Sequence, residues 1–273
     1  MTDTNILLPR AVRRYARSAA LAFIPTFLLA FGLAATALAE NIGNIERVAG
    51  AVTIQDNSGA SRAAQQGQPI SEGDTVTTGP DGEVLFKMID SGAVALRPKT
   101  QMRFTEYKFE SKPTDSSVLN LFKGSVRALT GLIGKVHPEK AYIRTPAATV
   151  GIRGTDHETV VLLEDSPDGS AGTYDRVYEG NTYIEAQNGE RIAVQPNQVG
   201  YSPQDVLKVA AQLGLLKGVP RFFVTGRFDD LFAVFAQELQ RRLQERLNQA
   251  TKGRLNGLPV PVQIPEGLGN LFK

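Results

Sequence analysis

The sequence predicts a mainly β protein whose α-helices are confined to its C-terminal end, and three observations carry that prediction. Between Glu40 and Tyr201, short β-branched and aromatic runs are separated by glycine-containing turn signals roughly every eight to twelve residues. Within those runs apolar residues alternate with polar ones, the period of a half-buried strand. Beyond Tyr201 the apolar spacing lengthens to three and four residues, the period of an amphipathic helix. Many short strands with frequent turns suggest a sandwich, barrel or β-roll rather than a parallel α/β sheet.

Residues 1–39 read as a cleavable signal peptide. Arg10, Arg13, Arg14 and Arg17 give the start a positive flank, and an apolar run follows from Ala19 to Leu33. Ala37-Leu38-Ala39 supplies the small-x-small exit that a signal peptidase reads. The expected location is the periplasm, or the exterior, after cleavage near Ala39. The alternative is an inner-membrane anchor, because the run is just long enough to span. Taking the four arginines and Asp3 of this segment from 30 basic and 28 acidic residues leaves 26 and 27. The basicity of the whole chain therefore belongs to the signal segment, and a nucleic-acid partner is not expected. The chain has no cysteine, which rules out disulfides, thiol chemistry and a lipid-modified cysteine. Its core alone must hold it, and it is long enough for that.

Residues 40–201 are expected to form the β-domain. Asp56-Asn57-Ser58-Gly59, Gly79-Pro80-Asp81-Gly82, Asp90-Ser91-Gly92 and Asn188-Gly189 are its clearest turns. Thr105, Tyr107 and Phe109 should share one face of a strand, as should Thr182, Ile184 and Ala186, and Ile192 and Val194. A helical extension is expected over 202–252. Ser202 reads as the N-cap and Pro203 as N1 of a first helix, with Val206, Val209, Ala210 and Leu213 at helical spacing. A second helix spans about 227–252, where Leu231, Phe235, Leu239, Leu243 and Leu247 recur every four residues. Asp229 and Asp230 lie at the positive end of its dipole. Its apolar stripe either docks on the β-domain or mediates self-association, and docking is the commoner fate of such a stripe. The tail 253–273, with its glycines and prolines, is expected to be extended and flexible.

The segment Thr145-Pro146-Ala147-Ala148-Thr149-Val150-Gly151-Ile152-Arg153-Gly154-Thr155 is the most informative in the chain. It reads as a strand end, a proline-set turn, then two glycines around one arginine. Gly151 and Gly154 permit close approach or positive φ, and Arg153 is placed to fold back onto carbonyls or a carboxylate. This run resembles the closing motif of the FecR-type domain, the periplasmic portion of ferric-citrate-regulator-like proteins. Val48-Ala49-Gly50-Ala51-Val52 resembles the opening strand pair of that family. Gly73-Asp74-Thr75-Val76-Thr77-Thr78-Gly79 and Asp90-Ser91-Gly92-Ala93-Val94-Ala95-Leu96-Arg97-Pro98 resemble its middle blocks, and Leu121, Gly124 and Val126 the strand before the close. The resemblance covers about residues 45–162. It implies an all-β domain of β-roll or jelly-roll type that works by contacting other proteins; it does not imply catalysis, and an enzyme is not expected. Because only about 17 polar residues precede the apolar run, a cytoplasmic sigma-factor-binding module is not expected, and the chain reads as a stand-alone exported member.

The resemblance marks Asp74, Thr145, Pro146, Gly151, Arg153, Gly154 and Thr155 as structural or contact residues. Where the family continues with an apolar strand, this chain has Asp156-His157-Glu158. A histidine between two acids can titrate or grip a ligand. It can equally be a strand edge whose charges neutralise Arg153 or Arg144. Alternation places Asp156 and Glu158 on one face and His157 on the other, a poor geometry for a three-ligand metal site. The acidic loop Glu164 to Asp175 lacks the calcium spacing of an EF-hand and reads as a hairpin tip. No motif for nucleotide, zinc or hydrolase chemistry is present, so no cofactor and no metal are expected. Two partner classes stay open: an envelope protein, or a cell-wall glycan. The second would need exposed aromatic rings on one sheet face, with Tyr107, Tyr142, Tyr174, Tyr178, Tyr183 and Tyr201 as candidates.

Overall fold

The computed structural model describes residues 40–205 and 212–255. The signal segment 1–39, the tail from 256 and residues 206–211 of the expected first helix lie outside the described residues. Fifteen strands join into one sheet. They are β1 (Asn41–Ala49), β2 (Val52–Gln55), β3 (Ser61–Ala63), β4 (Pro69–Ser71), β5 (Thr75–Thr78), β6 (Glu83–Met88), β7 (Ala93–Leu96), β8 (Gln101–Lys108), β9 (Ser116–Leu129), β10 (Ala141–Arg144), β11 (Ala148–Leu162), β12 (Gly172–Ala186), β13 (Arg191–Val194), β14 (Val199–Pro203) and β15 (Gly214–Leu215). A five-residue helix α1 (Leu132–Val136) and a short 3-10 turn (Pro138–Lys140) separate β9 from β10, and α2 (Asp230–Leu255) closes the described chain.

The turn chemistry explains the hairpins. Asp56 Oδ1 accepts from the backbone N–H groups of Ser58 and Ala60 at 2.9 and 3.0 Å, pinning the turn between β2 and β3. The central strands β9, β11 and β12 are long, and each changes partner midway. The first part of β11 pairs with β10 (Thr149–Gly151) and its second part with β9 (Asp156–Val161). Likewise β12 pairs with β14 early and with β13 late. Each of the three has a left-handed glycine where the partner changes: Gly124 at φ 87°, Gly154 at 69° and Gly180 at 78°. A bulge between Arg153 and Asp156 adds to the bend. These kinks fold the sheet over, and its inner face encloses one core that includes Ile42, Phe86, Phe104, Leu121, Ile143, Val150 and Ile184.

Two apolar patches on the outer face are covered by the C-terminal part of the chain. Leu85, Ala93, Ala95 and Leu129 lie beneath Phe232 and Phe235 of α2. Val160, Tyr174, Val199 and Tyr201 lie beneath Phe223, with Phe222 alongside. Strands β6 and β7 thus read as near-continuous apolar runs because both their faces are buried. The apolar stripe of α2 docks on its own β-domain.

Two expectations need correction. Ser202 and Pro203 do not open a helix; they end β14, where Ser202 is fully buried opposite Thr173. Position 203 is the last of its strand, where the missing N–H is tolerated. Nor do Thr105, Tyr107 and Phe109 simply share a face. A register shift between Phe104 and Glu106 turns both Phe104 and Tyr107 into the core.

Candidate functional site

The polar triplet of β11 points to both faces of the sheet, as strand alternation requires. His157 goes inward and is fully buried, with its Nδ1 2.8 Å from Asp175 Oδ1. Thr159 and Thr182 donate to the same carboxylate at 2.7 and 2.6 Å. The other ring nitrogen, Nε2, is buried without a hydrogen-bond partner among the described residues. His157 is therefore shut away from any ligand in bulk solution.

Asp156 and Glu158 go outward, into a buried ion network. They do not neutralise Arg153 or Arg144; their partners are Arg127 and Arg97. Arg127 forks onto Asp156 at 2.9 and 2.7 Å. Its guanidinium lies 4.4 Å from the ring centres of both Tyr178 and Phe232. Arg97 donates to Glu158 at 3.0 Å and to Glu83 at 2.9 Å. Its Nη2 also meets Asp229, 2.8 Å from Oδ1. Asp229 bridges the two arginines, since Arg127 Nη1 is 3.1 Å from its Oδ2. Burial tends to lower the pKa of Arg97, and the charges of Glu158 and Asp229 outweigh it and raise the value. The same opposition, with Asp156 prevailing, raises that of Arg127. Tyr178, which donates to Glu158 Oε2 at 2.8 Å, is pushed up by burial and by that carboxylate.

This network anchors the start of α2. Asp229 precedes the helix and accepts from the N–H of Gly226 at 2.9 Å, while Glu83 accepts from the N–H of Arg227. A Cβ at position 226 would fall 1.5 Å from Arg97 Nη1, so only glycine lets the chain cross there.

The remaining motif residues divide into props and surface. Asp74 is buried and accepts from Arg62 at 3.0 Å and from the N–H of Ser71 at 3.1 Å. Thr145 Oγ1 accepts from the N–H of Ala148 and lies 2.6 Å from Thr173 Oγ1, which fixes the turn around Pro146. Thr155 is tied to Thr130 through their hydroxyls at 3.2 Å. Lys135 donates to the carbonyl of Gly154 at 3.2 Å. Gly151 makes room for Tyr183, because a Cβ there would lie 2.0 Å from two of its ring carbons. Arg153 behaves differently from its sequence expectation. It is exposed, and its side chain has no ion pair or hydrogen bond among the described residues.

Sequence reasoning missed Arg97, Arg127 and Asp175 as partners of the triplet, and Glu83 as a second partner of Arg97, since each lies outside β11. Of the tyrosine candidates, Tyr107, Tyr174 and Tyr201 are buried. Tyr107 donates to the buried Asp90 at 2.6 Å. Only Tyr142 and Tyr183 face outward together, on either side of Gly151 in register. The acidic loop is a hairpin tip, with Asp165 accepting from the N–H of Ala171. No three His, Asp or Glu side chains converge as a metal site among the described residues.

No curated protein matches the chain. Two crystal structures titled "putative anti-sigma factor", from Parabacteroides distasonis ATCC 8503, are 15% and 14% identical to it, each with a TM-score of 0.40. Each match covers 53% of this chain, which spans 59% of the length of those chains. A structure titled "Cell surface anchoring domain" is 34% identical over 23% of this chain and 82% of its own, with a TM-score of 0.22. The family described as FecR protein matches residues 74–182. That match runs from the buried Asp74 turn through the kinked strands to Thr182, and across it the chain carries a FecR-type domain.

Proposed function

We propose that this protein is an exported, non-catalytic interaction module of the cell envelope, working in signalling through its FecR-type domain. One observation supports this reading best. The ionisable groups of β11 that could have formed a reactive site are held by structural partners, and the arginine of the family motif is left on the surface without one. A residue so placed suits contact with another molecule rather than chemistry within the domain. Export rests on the reading of residues 1–39, and the periplasm is the proposed location.

The test is site-specific photo-cross-linking of the full chain in intact cells. Probes would sit at Asn181, beside Arg153 on the sheet surface, and at Val234, which is 56% exposed on α2. A discrete protein adduct from either probe, in the periplasmic fraction, is the expected result. Glycan adducts alone would replace this reading with wall binding. N-terminal sequencing of the recovered protein should begin at Glu40, and an intact Met1 would overturn cleavage.

A further inference from the structure

Among the described residues, none covers the outer face of the sheet where β10, β11, β12 and β13 lie side by side, in contrast to the patches beneath α2 and Phe223. Register aligns Arg144, Thr149, Glu185 and Arg191 in one row across these strands. The next row holds Tyr142, Gly151, Tyr183 and Ala193, and Arg153 faces Asn181 in the row beyond. Arg144 lies over the Tyr142 ring and Arg191 over the Tyr183 ring, each 5.1 Å from the ring centre. Arg153, Tyr183 and Arg191 line one basin of about 630 Å³. Arg144 and Glu185 line an adjoining one.

We propose that this face is a docking surface for an acidic segment of a partner protein, gripped through carboxylates by Arg153, Arg191 and Arg144. The argument is charge complementarity. Three arginines stand against two acids, Glu185, which is 2.7 Å from Arg191, and Glu139 on the lining of the Arg153 basin. The chain beyond residue 39 has 26 basic and 27 acidic residues, so this is a local concentration of positive charge. Packing over tyrosine restrains each guanidinium, Arg144 also donating to the Tyr142 hydroxyl at 3.2 Å, and a restrained guanidinium can receive a carboxylate at less entropic cost. The same packing covers the ring faces that a sugar would need, which favours an acidic peptide over a glycan. Cross-strand spacing of about 4.8 Å sets Tyr142 and Tyr183 about 10 Å apart, within reach of acids on one extended segment. The inference rests on the protein-interaction reading above and names the chemistry of its partner.

The test uses the full mature chain with labelled deca-glutamate, deca-glutamine and tetragalacturonate. Deca-glutamate should bind, more weakly as salt rises, and deca-glutamine should not. The triple variant R144A/R153A/R191A should bind at least about tenfold more weakly with an unchanged melting temperature. Glu185→Gln, which frees Arg191, should bind several-fold more tightly, a gain that no folding defect can mimic. Absent binding, or binding indifferent to these variants, overturns the proposal. Tighter binding of tetragalacturonate than of the peptide overturns it in favour of an anionic glycan. A protein adduct from the Val234 probe with none from Asn181 would leave the module reading standing and remove this face from it.

Discussion

Removing the Arg97 side chain would leave Glu83 and Glu158 buried without their cation, while Asp229 keeps Arg127. Breaking a buried ion pair from one side costs about 3–5 kcal/mol, so Arg97→Ala should lower the unfolding free energy by that order, measured in urea. Arg153→Ala should change it by less than about 0.5 kcal/mol, because no partner is lost. A large loss in Arg153→Ala would restore the anchoring role that its glycine-flanked position suggests in sequence. The contrast also shows what sequence can carry at this scale. Alternation correctly separates His157 from Asp156 and Glu158, but no local pattern reveals that their partners sit on β9, on β12 and just after β7. Asp90 gives a pH-dependent test. Burial raises its pKa, with the Tyr107 hydroxyl and the N–H groups of Gly92 and Ile133 opposing. A carboxyl that holds its proton more tightly when folded stabilises fully below its ordinary pKa of about 3.9, and that contribution fades as pH rises through the raised value. The melting temperature should therefore carry a downward component above about pH 4 that Asp90→Asn removes. An identical profile in the variant would show that Asp90 does not titrate in this window.

At the scale of elements, α2 shows why pattern and tertiary contact carry different information. Its four-residue apolar repeat is legible from sequence, and so is the acid at its start. The choice between docking and self-association is not, because it depends on Leu85, Ala93, Ala95 and Leu129 forming a matching patch far away in the chain. The strand–helix confusion at Ser202-Pro203 has the same origin: a good cap and a strand end share residue types, and burial against Thr173 decides. Gly226 couples the helix to the ion network. Gly226→Ala would drive a methyl into Arg97 and Glu83 and should loosen the start of α2 while leaving the sheet intact. Hydrogen exchange would then quicken in residues 228–240 with β11 and β12 unchanged. Equal quickening in both regions would mean that the helix is not a separable layer. Phe232→Ala should cost about 3–5 kcal/mol, since it empties the patch and uncovers Arg127.

For the whole molecule, the kinked strands decide how stability is shared. Because β9, β11 and β12 each cross from one part of the sheet to the other, neither part can unfold without breaking a strand that also serves its neighbour. The enclosed core is continuous from Ile42 to Val194. No disulfide divides or reinforces it, since the chain has no cysteine. The glycines that permit this arrangement are visible in sequence, but a turn glycine and a mid-strand kink look alike there. Gly154 illustrates the difference: it was legible as a position of positive φ, yet its role is to bend β11 opposite Gly180. One cooperative unfolding transition follows. Two tyrosines in different clusters can report it, Tyr107 beside Asp90 and Tyr174 stacked 4.6 Å from Tyr201. With fluorotyrosine incorporated, the native resonances of both should vanish at one urea midpoint. Separate midpoints would mean that the FecR-type domain holds two folding units, and that the kinked strands join them without coupling them. Because the core depends on pairings distant in sequence, such as β1 with β6 and β9 with β11, refolding should also be slow, in the millisecond-to-second range typical of such topologies.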